Sequence, residues 1–568
     1  MSFESHDLVV IGGGAAGLRA AAAAGREVED VAVVSKTHVL RSHSVAAQGG
    51  IAAPLGNARD GRDDSWESHF EDTVEGGDYL VDRDACRVLA ESAGEIALEL
   101  EHMGVPFNRT GEGKLDQRPF AGHSKPRALY AADRTGHAIL YTLYGENLKL
   151  GTKFYNEYYV LDLLTEGDTV QGVVAYEVKS GQLTLLGAEA VILATGGCSQ
   201  AYEVTSSGRA STGDGLGLAL RNGIPVEDME FIQFHPTGLK DRGSLVTEAA
   251  RGEGGYLLND DEDRFMKSYE PEALELAPRD AVVRAMQKEI DAGRGIDGED
   301  YLYLDLTHLP RETLKSDLPT VTEMARDFKD VNPAEEPIPV QPTAHYCMGG
   351  IPTNTKGRVR TDAESGLWEN LYAAGEAACV SVHGANRLGT NSLLEAVTFG
   401  KRAGKNAAAR TESGGRVIED EKLKGEYERK LNRLLEKEGS VRVPELRNEL
   451  KTVMTEFCGV FREENGLKEA VRRIEELREK YRAEVYLEDE GKQFNTELRS
   501  ALELENTLEY SEMVARAALA REESRGAHYR VDFPETDDEN WLLHSFARKK
   551  PSEKKEISYR PVDQSSVR

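Results

Sequence analysis

The sequence predicts an α/β protein built on a Rossmann-like domain, with an inserted α+β domain, a helical bundle domain and a small C-terminal domain. Three observations predict this: a glycine-rich turn between an apolar strand and a helix near residue 12, two later apolar strands that also end in glycine, and helical periodicity after about residue 410. With 568 residues, the chain is too long for a single hydrophobic core.

The first element is a strand–turn–helix–strand unit of about 30 residues. An apolar strand at residues 8–11 precedes an alanine-rich helix, and residues 31–34 form the next buried strand; the turn between strand and helix consists of Gly12, Gly13, Gly14, Ala15, Ala16 and Gly17. Glycines at such a turn let backbone N–H groups approach a pyrophosphate at the helix N-terminus. Ser35 and Lys36 follow the second strand, where an NAD site usually places an acidic residue, which argues against a plain NAD dehydrogenase.

Two later apolar runs predict strands that return to the same sheet. Residues 190–194 lead into Gly196, and residues 371–374 lead into Gly375 and Glu376. The stretch between them from residue 229 to residue 343 is rich in charge and proline, and this composition predicts an inserted domain.

Apolar residues recur at helical spacing in the last third of the chain. Stripes beginning at Leu446, Ala470 and Leu498 predict three amphipathic helices that form a bundle. The final 45 or so residues are polar and end with an extended segment around Ile557.

Composition excludes several classes of function. The formal net charge is -29, which argues against nucleic-acid binding and against binding anionic lipid through a basic surface. No apolar run approaches the roughly 20 residues of a membrane span, and the N-terminus lacks a secretory signal. The five cysteines contain no CxxC pair, so we expect no iron–sulfur or zinc site in this chain and a reducing cytoplasm around it.

The segment RSHSVAAQGGI at residues 41–51 carries a family resemblance. It is similar to the R-S-H-[ST]-x-x-A-[EQ]-G-G segment in flavoprotein subunits of succinate dehydrogenase and fumarate reductase. The resemblance implies that FAD is the cofactor and that His43 bonds covalently to the 8-methyl carbon of its isoalloxazine, which raises the flavin potential. A lone loop histidine more often makes ordinary hydrogen bonds, but the length of the match favours the covalent role.

The glycine turn and the resemblance together predict the FAD contacts. Asp214 would lie near the flavin or its ribityl chain, Glu376 would accept from ribose hydroxyls, and the helix start at residues 391–394 would lie under the flavin carbonyls. The full predicted set is Gly12, Gly13, Gly14, Ala15, Ala16, Gly17, Ser35, Lys36, His43, Ser44, Gln48, Gly49, Gly50, Ala194, Gly196, Asp214, Glu376, Asn391, Ser392 and Leu393.

Four further segments resemble the substrate-binding segments of the same family: QFHPT, TEAARGEGG, HYCMGG and GANRLG. The resemblance implies that the two carboxylates of succinate or fumarate are held by His235, Thr247, His345 and Arg387. Arg387 is suited to bidentate binding, because a planar guanidinium matches a carboxylate edge. Phe120 would pack on the substrate, although Ala121 stands where the family more often has glycine.

The resemblance assigns proton transfer to Arg279, with a relay through Glu248 and Arg251. An arginine is nearly always charged, so on its own Arg279 would be read as a salt-bridge partner. Glu248 and Arg251 are three residues apart and share one face if that segment is helical.

The predicted domains follow from these segments. Residues 1–228 and 344–409 form the FAD-binding domain, 229–343 the capping domain, 410–522 the helical bundle domain and 523–568 the C-terminal domain. Because the chain lacks iron–sulfur ligands and a direct membrane span, we expect an iron–sulfur subunit and membrane anchor subunits as partners. The expected location is peripheral, on the cytoplasmic face of the cell membrane.

Alternatives remain open at the sequence level. Gln48 resembles the residue commoner in succinate-oxidising members, where many fumarate reducers have Glu, and this favours succinate oxidation. L-aspartate oxidase shares the AQGGI segment but binds FAD without the covalent histidine. A non-catalytic flavoprotein scaffold should have lost at least one of His235, Arg279, His345 or Arg387, and all four are present.

Overall fold

The structure is a computed structural model that describes residues 2–411, 421–549 and 555–562. Its strands are β1 (Ser2–Ile11), β2 (Val31–Ser35), β3 (Ile51–Ala52), β4 (Gln117–Arg118), β5 (Ala128–Leu129), β6 (Lys153–Asn156), β7 (Tyr158–Glu166), β8 (Thr169–Glu177), β9 (Leu183–Leu193), β10 (Val226–Glu227), β11 (Ile232–Leu239), β12 (Tyr256–Leu258), β13 (Leu302–Asp305), β14 (Ile338–Cys347), β15 (Ile351–Pro352), β16 (Arg358–Arg360), β17 (Leu367–Ala373), β18 (Ala378–Cys379), β19 (Val441–Arg442), β20 (Val485–Tyr486), β21 (Leu543–Lys549) and β22 (Lys555–Pro561).

The α-helices of the described ranges lie between and beyond these strands. They are α1 (Ala15–Ala24), α2 (Trp66–Gly76), α3 (Arg83–Met103), α4 (Thr135–Lys149), α5 (Asp214–Arg221), α6 (Ala249–Gly252), α7 (Met266–Tyr269), α8 (Arg279–Asp291), α9 (Arg311–Ser316), α10 (Pro319–Lys329), α11 (Asn391–Ala408), α12 (Glu421–Leu435), α13 (Val443–Phe457), α14 (Glu464–Glu484), α15 (Thr496–Ala520) and α16 (Asp538–Trp541).

The central sheet confirms the predicted Rossmann-like core. Its strand order is β16-β17-β9-β1-β2-β6, and the β7–β8 hairpin joins it through β9. Strand β1 pairs in parallel with β2 and β9, and β17 pairs in parallel with β9. The three predicted strand ends, near Ile11, Leu193 and Ala373, therefore lie at one edge of the sheet, where ligands bind in open α/β folds.

Helix α1 packs closely against α11 because both helices present small residues. A Cβ added at Gly400 would lie 2.6 Å from the carbonyl oxygen of Ala16, and one at Gly404 would lie 2.2 Å from that of Ala20. This contact fixes the start of α11 beside the glycine turn.

A second sheet, ordered β11-β14-β13-β12, lies in the segment predicted as the inserted domain. It has its own apolar core, formed with residues such as Met286 of α8 and Leu304 of β13. Strand β14 continues past residue 343, so it crosses the predicted boundary of the capping domain. The division into domains stays a prediction.

The helical periodicity is confirmed by α13, α14 and α15, whose buried residues include Leu446, Ile474 and Leu498. The structure adds α12, which the sequence reading did not identify. Residues 412–420 of the predicted bundle domain lie outside the described residues. No helix among those described combines the length and apolar composition that a membrane crossing requires.

The C-terminal hairpin β21–β22 pairs with β10 and so is joined to the central part of the chain. His544 on β21 lies 2.7 Å from a carboxylate oxygen of Asp228, and Arg560 on β22 lies 3.1 Å from Glu227. Burial opposes protonation of His544, but the two carboxylates outweigh it and raise its pKa. Buried opposite charges thus hold the hairpin in place.

Candidate active site

A cavity of about 380 Å³ lies at the carboxyl edge of the central sheet and extends towards β11, α8 and β14. Most of the sequence-predicted site residues line it together. They are Gly12, Gly13, Gly14, Ala15, Ala16, Ser35, Lys36, His43, Ser44, Gln48, Gly49, Gly50, Phe120, Ala194, Gly196, Asp214, His235, Thr247, Glu248, Arg279, His345, Glu376, Arg387, Ser392 and Leu393.

Three predicted residues do not line the cavity. Gly17 packs against the backbone of the glycine turn, since an added Cβ would lie 2.0 Å from the carbonyl oxygen of Gly12. Asn391 is fully buried behind the start of α11, where its amide bonds His69. Arg251 lies behind Glu248 with its side chain fully buried.

The glycine turn forms a narrow anion-binding cradle. Gly12 has a φ of +111°, and a Cβ there would lie 2.1 Å from the carbonyl oxygen of Ala194. The capping residue of α1, Gly14, supplies no side-chain hydrogen bond, and the N–H of Ala15 donates to Ser44 Oγ at 3.1 Å, so Ser44 of the RSHS segment lies directly at the helix N-terminus. These features fit a pyrophosphate, as FAD would supply.

Lys36 lies at the end of β2 in a buried ion cluster. Its ammonium is 2.7 Å from Asp214 and 3.0 Å from Glu503 of helix α15, and Asn506 donates to Asp214 at 3.1 Å. Burial alone would lower the pKa of Lys36, but the two carboxylates raise it overall, so the group is charged. Helix α15 therefore fixes the side chains that line the cavity at this end.

Glu376 lies in a short 3-10 turn, Gly375–Ala377, that follows β17. Its Oε1 accepts from the backbone N–H of Cys347 at 3.2 Å, and a Cβ at Gly197 would lie 2.2 Å from that oxygen. Burial raises the pKa of Glu376 to about 7. A carboxyl group in this position fits a hydroxyl-bearing ligand such as the sugar or ribityl part of FAD.

His43 lines the cavity in a short 3-10 turn, as part of the RSHS segment. The backbone N–H of Gly208 donates to its Nδ1 at 3.2 Å. Burial lowers the pKa of His43 to about 4, so the imidazole is neutral near pH 7. Because Nδ1 accepts, Nε2 carries the ring proton, and Nε2 is the nitrogen that would bond a cofactor after it releases that proton.

Two histidines and an arginine converge at the other end of the cavity. Arg387 Nη2 lies 2.8 Å from Nε2 of His345, and Ser206 Oγ lies 2.7 Å from Nδ1 of the same ring. Because arginine only donates, His345 accepts at Nε2 and donates from Nδ1 to Ser206. Burial is the main cause that lowers the pKa of both His235 and His345, so both rings are neutral.

His235 reaches this end from an irregular part of β11. The pairing of β11 with β14 shifts register between His235 and Gly238, and such bulges re-aim side chains near active sites. The Nε2 atom of His235 is buried without a hydrogen-bond partner among the described residues. An unpaired buried donor of this kind fits an anionic ligand.

Arg279 is the first residue of helix α8, and its side chain bridges Glu248 and Gln233. Its Nε donates to Glu248 Oε2 at 2.8 Å and its Nη1 donates to Gln233 Oε1 at 3.0 Å. Burial would raise the pKa of Glu248, but Arg279, Arg251 and the backbone N–H of Ala121 lower it overall. Arg251 lies 3.5 Å from Glu248, as the spacing of three predicted.

The electrostatic balance of this region suits a dianion. Arg251 and Arg279 pair with one carboxylate, Glu248, and Arg387 forms no ion pair among the described residues, so the three guanidinium groups carry two positive charges more than Glu248 balances. Thr247 adds a hydroxyl to the cavity, and the Phe120 ring adds an apolar wall against Gly49. The charge, the unpaired histidine and the apolar wall match a small dicarboxylate.

Sequence reasoning missed several residues of the site. Ser206 orients His345, Tyr346 lies under Arg387 with 4.5 Å between the guanidinium carbon and the ring centre, and Gln233 accepts from both Arg279 and Arg387. Tyr346 and Gln233 belong to segments that the sequence reading used, and a polar residue two positions before His235 was the available signal. Ser206 carries no such signal, because its contact is 139 residues away in sequence.

Comparison with known proteins places this chain in a family. The sequence family described as "FAD binding domain" matches residues 7–393, and the one described as "Fumarate reductase flavoprotein C-term" matches residues 447–568. The succinate dehydrogenase flavoprotein subunit of Rickettsia conorii is 45% identical over 98% of this chain and 95% of its own length. The fumarate reductase flavoprotein subunit of Mycobacterium tuberculosis is 41% identical over 98% and 97%.

A solved structure of E. coli quinol fumarate reductase is similar throughout. Its TM-score is 0.93 at 37% identity, and the match covers 100% of this chain and 98% of that one. Both the fold and the resemblance stated from the motifs are therefore confirmed. The chain belongs to the family of succinate dehydrogenase and fumarate reductase flavoprotein subunits, which are FAD-dependent oxidoreductases.

Proposed function

We propose that this chain oxidises succinate to fumarate on FAD that is bonded to His43, and that it passes the electrons to an iron–sulfur subunit and then to quinone. The observation that carries the proposal is the convergence of His235, His345, Arg387 and Arg279 on one end of a cavity whose other end is a glycine turn. Fumarate reduction by the same site is the alternative direction.

The carboxylate clamp (His235, Thr247, His345 and Arg387) binds the substrate. Arg387 donates to one carboxylate while His345, which accepts from Arg387 at Nε2, holds the guanidinium in position, and the unpaired Nε2 of His235 donates to the other carboxylate. Burial lowers the pKa of Arg387 to about 9, which leaves the group cationic at neutral pH. Holding both ends of the substrate fixes its two methylene carbons, and this orientation favours the transition state over free substrate.

Arg279 takes a proton from one methylene carbon of succinate after it has passed a proton of its own to Glu248, so its charge is the same before and after the transfer. FAD held by the glycine turn, Lys36 and Glu376 would supply the acceptor for a hydride from the other methylene carbon, and the loss of one proton and one hydride gives fumarate. Glu248 bonds Arg279 directly, and Arg251 lies behind it, so the proton leaves along this buried row of charges. The capping domain brings Arg279 and His235 over the cavity and excludes water.

The environment of His43 supports the covalent link. Burial lowers its pKa to about 4, so the imidazole is neutral, and Nε2 would become the nucleophile on releasing the one ring proton. Nε2 would hold the flavin, and Nδ1, which keeps its lone pair, would still accept from the N–H of Gly208, as the 3.2 Å contact allows. Gln48 and Gly49 lie on the same loop and also line the cavity.

Replacing His43 with Ala tests this link. The variant is expected to bind FAD without a covalent bond, because the glycine turn, Lys36 and Glu376 are unchanged. After acid denaturation, flavin fluorescence should remain on the wild-type polypeptide and map to the peptide that contains His43, and it should be absent from the variant. His38→Ala, a change outside the cavity, is the matched control and should retain the bound flavin. Wild-type protein that releases all its flavin, from a host shown to flavinylate a known relative, would contradict the link.

The proposed partners follow from the two-electron chemistry at the flavin. The similar E. coli protein is a quinol fumarate reductase, which supports a quinone-linked complex. We place the chain peripherally on the cytoplasmic face of the cell membrane, with membrane anchor subunits below an iron–sulfur subunit. The helical bundle domain contributes to docking that subunit.

The chain purified without other subunits tests this arrangement. With succinate it is expected to reduce an artificial dye but to leave quinone oxidised, since the relay to quinone lies in other subunits. The dye rate in the same preparation is the control for active flavin. Rapid quinone reduction by this single chain would overturn the multi-subunit arrangement.

The direction of the reaction, and L-aspartate oxidase as a second candidate function, are each addressed by one residue of the His43 loop. Gln48 is buried beside the predicted flavin position, and its Oε1 has no hydrogen-bond partner among the described residues; the residue type favours succinate oxidation. L-aspartate oxidase is the second candidate because the AQGGI segment is shared, but it does not require the histidine at position 43.

A further inference from the structure

A strained turn connects the substrate clamp to the helix that faces the flavin position. Gly389 and Thr390 join Arg387 to the start of α11, and Thr390 has φ 66° and ψ −15°. A residue with a Cβ adopts this left-handed conformation only where its surroundings enforce it. A Cβ at Gly389 would lie 2.8 Å from the Phe120 ring and 3.5 Å from Arg279 Nη2. The turn is therefore packed against two residues that line the cavity.

His123 holds this turn in place. Its Nε2 lies 2.8 Å from the carbonyl oxygen of Gly389 and 3.3 Å from Oγ1 of Thr390. Its Nδ1 faces Nη1 of Arg127 at 3.5 Å, and arginine can only donate. The ring therefore accepts at Nδ1 and donates from Nε2 to the turn. Burial, and next the charge of Arg127, lower the pKa of His123 to about 4, which keeps this neutral tautomer.

The other side of His123 is anchored to a rigid ion cluster. Arg127 is fully buried and lies 2.9 Å from Asp64 and 2.6 Å from Asp72. The neighbouring His69 bonds Asn391 Oδ1 at 2.9 Å, so the two histidines hold successive residues at the start of α11. Both rings thus connect the helix start to helix α2 and the loop after β4.

The conformation of residues 389–390 also fixes the position of Arg387 in the carboxylate clamp. Arg387 Nη1 donates to Ser392 Oγ at 2.5 Å, across the turn that His123 holds. Ser392 and Leu393, in the first turn of α11, line the cavity with the free N–H groups of a helix start. A shift of the turn would therefore move both the Arg387 guanidinium and these donors.

We propose that His123 is a positioning residue for this reaction: its hydrogen bond to Gly389 sets Arg387 against the substrate and the start of α11 against the flavin. This inference rests on the proposed dicarboxylate chemistry and adds to it a residue outside the clamp. His123 does not touch the substrate, and it acts through the backbone of Gly389 and the side chain of Thr390.

Two substitutions of His123 test the inference, because glutamine and asparagine both carry a side-chain amide but differ in length by one methylene group. In His123→Gln the amide N–H reaches the position of Nε2 and can donate to the carbonyl oxygen of Gly389. In His123→Asn the amide reaches only the position of Nδ1, so this hydrogen bond is lost. We expect His123→Gln to keep kcat/KM for succinate within about threefold of wild type and His123→Asn to lose about tenfold or more, which corresponds to the loss of one buried hydrogen bond. The Kd for malonate, a dicarboxylate that cannot be dehydrogenated, should rise by a similar factor in His123→Asn, and the flavin midpoint potential should fall.

The possible outcomes separate this inference from the proposed function. If wild type binds malonate and oxidises succinate but both variants match each other in kcat/KM, malonate Kd and potential, the positioning role is overturned. If wild type does neither, the proposed function fails and the inference fails with it. Should His123→Asn not fold, His123→Met replaces it, because methionine has similar volume and no donor; equal behaviour of His123→Met and His123→Gln would again overturn the role.

Discussion

Replacing Arg279 with Lys is expected to lower kcat for succinate by about 10²- to 10⁴-fold, the range over which a positioned acid or base contributes to a reaction. The reason is geometric. The guanidinium bonds Glu248 and Gln233 at once while its third nitrogen remains near Gly389, and a single ammonium cannot make this pattern. FAD should remain bound, because Arg279 lies at the far end of the cavity from the glycine turn.

The measurement is steady-state kinetics together with the flavin content of each protein. Arg284→Lys is the matched control, since Arg284 lies on the same helix and pairs with Asp280 at 2.7 Å without lining the cavity. The control should retain nearly full activity. An Arg279→Lys protein with most of its kcat and full flavin content would remove Arg279 from proton transfer.

Replacing Arg387 with Gln is expected to lower kcat/KM for succinate by about 10²- to 10³-fold, because loss of one partner of a buried charge pair typically costs about 2–5 kcal/mol. The variant loses the contact to His345 and the cation that balances a substrate carboxylate. KM should rise more than kcat falls, since the clamp binds the ground state as well as the transition state.

Malonate affinity provides an independent measurement for Arg387. The Kd should rise in Arg387→Gln and stay unchanged in Arg358→Gln, where the natural arginine bonds the carbonyl oxygen of Trp368 outside the cavity. An unchanged malonate Kd in Arg387→Gln would show that Arg387 does not bind the dicarboxylate.

Much of the fold was predictable because local signals and burial agree. The apolar runs at residues 8–11, 31–34, 190–194 and 371–374 are all strands of one sheet. The helical stripes of α13 to α15 are present as predicted. The β7–β8 hairpin was not predicted, although Gly167 and Asp168 form a two-residue turn typical of hairpins. Helix α12 was not predicted either, although its buried Leu431 and Leu435 lie four residues apart, as on one face of a helix.

The site was predictable where a motif carries it and unpredictable where tertiary contacts do. His43, His235, His345 and Arg387 lie in short segments that can be recognised in the sequence, and the structure brings them to one cavity. Ser206 and His123 bind their partners across 139 and 266 residues, and nothing local marks such contacts. Arg279 was predicted as a site residue from its segment, but its hydrogen bond to Gln233 was not predicted.

The most direct test of the proposed activity is anaerobic addition of succinate to the purified, FAD-loaded chain while the flavin absorbance is followed. Succinate should bleach the flavin and yield fumarate in equal amount, and later addition of excess fumarate should restore the oxidised spectrum. L-aspartate should leave the flavin oxidised. A flavin that L-aspartate reduces and succinate does not would contradict succinate–fumarate chemistry at this site.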